Sequence, residues 1–276
     1  MKRLEKLDLH QGWIPFFLLF ASILGGGVYS QDRHHEEPPE VSSCSLWEIK
    51  EQCSEGEVFK INDISLYYEI DGQGEPLLLL HGGGGSAEHF NLMLPELRQH
   101  YRVITPDSRA HGRSTDTLEP LSYRQMAADM IGLLDSLKLV SAYVGGWSDG
   151  ASIALHMAIY YPDRVRALLL TPVDLSSEGL TDLFWEDTKE MNFPEKLEKW
   201  WRTRLPPSQK ELSGIKVPTL FVIGKEEQYV KLEHVKWQYQ SIPGAEVVWI
   251  TDADHILITK PAAVNMAFLS FLNKHQ

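Results

Sequence analysis

From residue 57 onward, short apolar runs alternate with amphipathic stretches, and the period of each stretch predicts its element. Residues 58–61 and 64–70 are rich in β-branched and aromatic side chains on either side of Asn62-Asp63, which predicts a hairpin. Asp71-Gly72-Gln73-Gly74 then turns the chain into residues 76–81, a run apolar on both faces and so a strand buried within a parallel sheet. A helical stretch follows over 87–99, then a strand over 101–105. Ser122-x-x-Gln125 has the spacing of a helix start, and Met126, Met130, Leu133, Leu134 and Leu137 fall on one face of the helix behind it. Further strands are expected at 142–144, 165–170, 218–223 and 245–250. Helices are expected at 152–160, ending at Pro162, at 231–240, and from Pro261 with Val264, Phe268, Phe271 and Leu272 inward. Strands alternating with helices predict an α/β fold with a mostly parallel sheet and an antiparallel hairpin at its start.

The first 56 residues break that pattern. Lys2, Arg3 and Lys6 precede an apolar run over 13–24, and small residues lead to Val28 and Ser30, which suit the −3 and −1 positions of a cleavage site. Residues 1–30 therefore read as a secretory signal with Gln31 as the mature start, which makes the protein exported, periplasmic or secreted. The rival is an uncleaved membrane anchor over 13–29. Residues 31–56 are polar and acidic and read as a flexible linker. Within it lie His34, His35, Cys44 and Cys53, the cysteines either joined in a short-loop disulfide after export or left as two thiols.

Composition narrows the partners. The 276 residues are 43% hydrophobic and carry a net charge of −12, which argues against nucleic acid or an anionic membrane surface. Two cysteines make neither a disulfide framework nor a cysteine-based zinc site. A small-molecule partner is expected, with a membrane involved only if the N-terminal segment stays uncleaved, and no metal or organic cofactor.

In a parallel sheet, ligands bind beyond the carboxyl ends of the strands, so chemistry is expected in the loops there. Gly146-Trp147-Ser148-Asp149-Gly150 sits between a strand and a helix, where a sharp turn lifts one serine hydroxyl above the sheet edge. His81 to Ser86 includes four successive glycines, whose N–H groups can approach an oxyanion unobstructed. The loop from Asp107 to Ser114 reads as a charge cluster of Asp107, Arg109 and Arg113, with His111 structural or lining the pocket. A nucleophilic serine needs a base, and His255 follows the last strand. The acid that would orient it is Glu227, with Glu226 and Asp174 as alternatives.

These motifs, in this order, resemble the α/β-hydrolase fold family across residues 57–276: His81-Gly82-x-x-Gly85-Ser86, Asp107-x-Arg109-x-His111-Gly112-x-Ser114, the Ser148 elbow, Gly224-x-x-Glu227 and Asp254-His255. The resemblance implies Ser148 as nucleophile, His255 as base and Glu227 as acid, with the Gly83 and Asp149 N–H groups as oxyanion hole. Gly84, Trp147 and Asp149 are its candidate substrate contacts. Glutamate stands where most relatives carry aspartate, and the insertion over about 173–216 is shorter than many caps. Its aromatic groups, Phe184-Trp185 and Trp200-Trp201, predict a small lid of one or two helices that leaves the pocket relatively open. The Trp-Ser-Asp-Gly elbow further resembles that of enzymes cleaving α-amino-acid esters, where Asp149 would pair with a substrate ammonium; the plainer role is a negative charge in the first helical turn. The implied activity is a serine hydrolase cleaving carboxylic esters or related acyl compounds. The other readings are a proline-releasing aminopeptidase, a lactonase, a C–C bond hydrolase, or an inactive hydrolase fold that binds a ligand.

Overall fold

The computed structural model describes residues 56–173 and 176–276. The expected signal, anchor and linker, Cys44, Cys53 and the alternative acid Asp174 lie outside the described residues.

Eight strands form one sheet: β1 (Glu57–Ile61), β2 (Ile64–Asp71), β3 (Glu75–Leu80), β4 (Tyr101–Pro106), β5 (Ala142–Ser148), β6 (Val165–Val173), β7 (Thr219–Gly224) and β8 (Glu246–Ile250). Their spatial order is β1-β2-β4-β3-β5-β6-β7-β8. β1 pairs antiparallel with β2, and β2 antiparallel with β4, whereas every later pairing is parallel. The centre is β3, β5 and β6, where Leu77 to Leu80 and Leu168 to Leu170 are completely buried. These are the runs apolar on both faces, and burying each leucine contributes roughly 1.5–3 kcal/mol.

Helices cover both faces. After a 3₁₀ turn at Ala87–Phe90 comes α1 (Leu94–Leu97), followed by α2 (Tyr123–Ser136) and α3 (Asp149–Tyr160). The single helical stretch expected over 87–99 is broken into these two turns because Pro95 offers no N–H to continue one helix through it. The Ser122 hydroxyl accepts the Gln125 N–H and starts α2, whose Met126, Met130, Leu133 and Leu134 are buried in the core. Between β6 and β7 stand three helices, α4 (Asp182–Met191), α5 (Glu195–Thr203) and α6 (Gln209–Gly214), rather than the expected one or two. Asn192 in the left-handed region ends α4, Pro194 precedes α5, and Ser208 and Glu211 close a reciprocal capping box on α6. The last two helices are α7 (Leu232–Ser241) and α8 (Pro261–Lys274), the latter burying Val264, Phe268, Phe271 and Leu272. Among the described residues no helix is long and apolar enough to cross a membrane.

Candidate active site

β5 delivers Ser148 directly into α3. Ser148 has φ 54° and ψ −118°, a conformation that a side-chain-bearing residue adopts only under strain, on the order of 1–3 kcal/mol. The strain is held by close packing on both sides. A methyl group at Gly146 would collide with the Gly150 backbone, and one at Gly150 with the Leu80 carbonyl. The two glycines of the motif are therefore set by steric room.

Beside the elbow runs the glycine loop after β3. A methyl group at Gly82 would meet Cβ of Ser148 at 3.3 Å, so the loop lies against the serine. Gly83 packs on Asp149 Oδ2 and the ring of Trp201, while Gly84, at φ 71°, lies under the ring of Phe193. The cap formed by α4–α6 thus touches the glycine loop through Phe193 and Trp201. The Asp149 side chain is 6% exposed, and its carboxylate is occupied by protein. Oδ1 accepts hydrogen bonds from the Tyr123 hydroxyl at 2.6 Å and from Arg204 Nη1 at 2.9 Å. Oδ2 accepts from Trp201 Nε1 at 2.8 Å, and Arg204 Nη1 also donates to the Tyr123 oxygen at 2.8 Å. The carboxylate expected to meet substrate is thus held by three protein donors. Both oxygens accept from side chains of α2 and α5 or its C-terminal end, two donors on Oδ1 and one on Oδ2.

On the other side, His255 Nδ1 lies 3.0 Å from each oxygen of Glu227. Glu227 Oε1 also accepts the backbone N–H groups of Tyr229 at 2.8 Å and Val230 at 2.9 Å, which fix the carboxylate from behind. With Nδ1 donating to Glu227, the histidine presents Nε2 as its acceptor. Glu226 is exposed and its backbone is held by the Ala253 carbonyl, so of these two neighbours it is Glu227 that the loop turns toward the histidine. Trp147, expected to contact substrate, is buried, and its indole Nε1–H donates to the His255 carbonyl at 2.8 Å. Tyr229 adds its ring at 5.3 Å from the imidazole.

The loop after β4 holds two charge clusters where sequence suggested one. Asp107 accepts from Arg113 Nε at 2.7 Å and from the Ala87 N–H at 2.7 Å, contacts that keep its carboxyl below the usual range against the opposing effect of burial. Arg109 turns the opposite way, to Asp129 at 2.6 Å and Asp63 at 2.9 Å. His111 is buried with Nδ1 donating to the Arg109 carbonyl, and its ring lies 5.3 Å from that of His81. His81 Nε2 accepts the Ser108 N–H, which requires the neutral ring; burial first, then nearby His111, push its pKa down to about 3. Among the described residues no group of three or more His, Cys, Asp or Glu side chains is placed to hold a metal ion.

Sequence reasoning missed Arg204, Tyr123 and Trp201 as partners of the elbow. Arg204 lies in the insertion, just past an amphipathic helix that also carries Lys196, Lys199 and Arg202, so residue type alone does not single it out. Trp147 donates to a backbone carbonyl, which leaves no trace in residue identity.

The family described as the alpha/beta hydrolase fold matches residues 75–203. A pyrrolizixenacetamide deacetylase of Xenorhabdus hominickii is 30% identical over 122 residues, covering 44% of this chain and 46% of that protein. A 2-hydroxymuconate semialdehyde hydrolase of Pseudomonas sp. (strain CF600) is 38% identical over 103 residues, covering 36% of each. The chain spans less than half the length of the first curated relatives it matches. A thermophilic esterase from Thermogutta terrifontis superposes with a TM-score of 0.67 at 24% identity, covering 81% of this chain and 100% of the esterase, a likeness of fold.

Proposed function

The chain has the α/β-hydrolase fold, and from that premise we propose that it is a serine hydrolase acting on carboxylic esters or related acyl compounds. The observation that carries the reading is His255 Nδ1 held 3.0 Å from both Glu227 oxygens, in the loop that Trp147 ties to the strained Ser148 elbow. Ser148 Oγ attacks the acyl carbonyl while His255 Nε2 takes its proton, and Glu227 orients the imidazole and stabilises its charged form. The N–H groups of Gly83 and Asp149 receive the oxyanion, each worth a few kcal/mol. His255 then protonates the departing alcohol, and water activated by the same nitrogen releases the acid. The relatives hydrolyse substrates of several kinds by name, an amide-type deacetylation and a semialdehyde cleavage among them. That spread supports the general acyl reading and leaves the leaving group to experiment.

A fluorophosphonate probe tests it: labelling of the wild type that disappears in Ser148→Ala is expected, and no labelling of folded wild type overturns the assignment in favour of a binding protein. A panel of chromogenic esters, a lactone, a proline amide and a vinylogous diketone then ranks the leaving groups. We also propose that the protein is exported, supported by the basic, apolar and small-residue order of residues 1–30. N-terminal sequencing of the mature protein is expected to begin at Gln31; an intact N-terminus in the membrane fraction would sink that idea.

A further inference from the structure

The side chain of Asp149 raises a physical problem for the reaction just proposed. In that reaction its own backbone N–H is one oxyanion donor and that of Gly83 the other, and its Oδ2 packs against Gly83. A bare carboxylate there would oppose the negative charge that builds on the substrate oxygen, in a site where low dielectric magnifies such effects. The cap supplies the remedy. Arg204, 2% exposed, sits 2.9 Å from Oδ1, Trp201 Nε1–H covers Oδ2 at 2.8 Å, and the Tyr123 hydroxyl completes Oδ1 at 2.6 Å. Three donors from α2 and the end of α5 thus surround one carboxylate at the root of the oxyanion hole.

We infer, resting on the serine-hydrolase reading, that Arg204 is a positioning residue. It neutralises Asp149 so that the elbow can stabilise an oxyanion, and it makes the seating of the cap a condition of catalysis. Asp149 is then an anchor for the cap, and the cap forms the back wall of the oxyanion hole. A purely structural ion pair would have a different signature: losing either partner would lower stability, and losing both would not restore turnover.

The test is a cycle of Arg204→Met, Asp149→Asn and the double variant, read as kcat and KM on a neutral chromogenic ester, with fluorophosphonate labelling rates alongside. Arg204→Met is expected to lower kcat about a hundredfold, the scale of losing one oxyanion donor, with KM changed less than about threefold. The double variant, which removes the charge along with its partner, is expected to recover to within about tenfold of wild type. Trp201→Phe, which keeps an aromatic side chain but loses the N–H donor and part of the indole, covers the case in which Arg204→Met fails to fold; its kcat is expected to fall about tenfold. No recovery in the double variant, or an unchanged kcat in both Arg204→Met and Trp201→Phe, overturns the inference. Loss confined to α-amino esters in Asp149→Asn overturns it in favour of ammonium binding. Wild type that hydrolyses and labels while these outcomes fail leaves the serine-hydrolase reading standing; wild type that does neither removes the premise.

Discussion

Two buried arginine–aspartate pairs in this molecule look alike on paper and sit in different mechanical circumstances. Arg109 grips Asp129 with two nitrogens, reaches Asp63 in the β1–β2 turn, and shares Asp129 with Asn62. Its side chain is 1% exposed and that of Asp129 is fully buried. Every group it touches belongs to scaffold: a hairpin turn, a loop after β4 and the face of α2. Arg204 is equally buried, but its partner is the residue next to Ser148, and the segment that carries it is an insertion. The same chemistry closes the scaffold in one place and, on our proposal, tunes reacting atoms in the other. The lesson is that burial and pairing do not distinguish a structural ion pair from one at a site; what the acid's backbone is doing does.

The largest effect that could break this contrast is at a carboxylate paired with a histidine. Glu227→Gln is expected to lower kcat by roughly 10³–10⁴, the scale of replacing a triad acid by its amide, with thermal stability nearly kept. Glu226→Gln is expected to change kcat less than about twofold, and a large loss there would move the acid by one residue. Next comes Asp129→Ala, which strands Arg109 in the interior and is expected to cost about 3–5 kcal/mol in denaturant melts. Active-site titration of the fraction that remains folded should show wild-type kcat per site; a fall in that value would make the scaffold pair functional too.

Acid gives the third test. Burial drives the pKa of His81 down to about 3 and that of His89 to about 4, and lowers that of His111. In the unfolded chain these rings take up protons below about pH 6.5. The unfolded state therefore binds more protons across the window from about 6.5 down to about 4, and stability falls as pH drops through it. At pH 5.5 His81 and His89 together should cost on the order of 3 kcal/mol relative to pH 8, with His111 adding in the same direction. Calorimetry at the two values measures it. The smallest effect is Trp147→Phe, which keeps an aromatic side chain but removes the hydrogen bond to the His255 carbonyl. A fall in kcat of up to about tenfold, with KM unchanged, is expected; an unchanged pH–rate profile and kcat would reduce Trp147 to packing.

Much of the scaffold was legible in the chain because its signals are local. Leucine runs at 77–80 and 168–170 read as strands apolar on both faces, and they are the fully buried centre of the sheet. Ser122, Pro261 and the glycines around Ser148 act through steric or capping rules that span only a few residues. The pairing of His255 with Glu227 was legible one step further out, through the order of the strands. Long-range partners were not. Arg204 lies 55 residues beyond Asp149, Arg109 chose Asp129 over its neighbour Asp107, and no periodicity records either choice. The cap was visible as an insertion dense in aromatics, yet its third helix depends on a capping box at Ser208 that the aromatic count does not reveal.

The backward φ of Ser148 carries a last consequence, for the history of such a chain. Glycine would occupy that conformation without strain, so the version of this protein with the most relaxed elbow is one that has lost its hydroxyl. Selection for turnover and selection for persistence pull on the same codon in opposite directions. A lineage freed from the need to react would gain by drifting to glycine there, and in it the intact fold would outlive the chemistry.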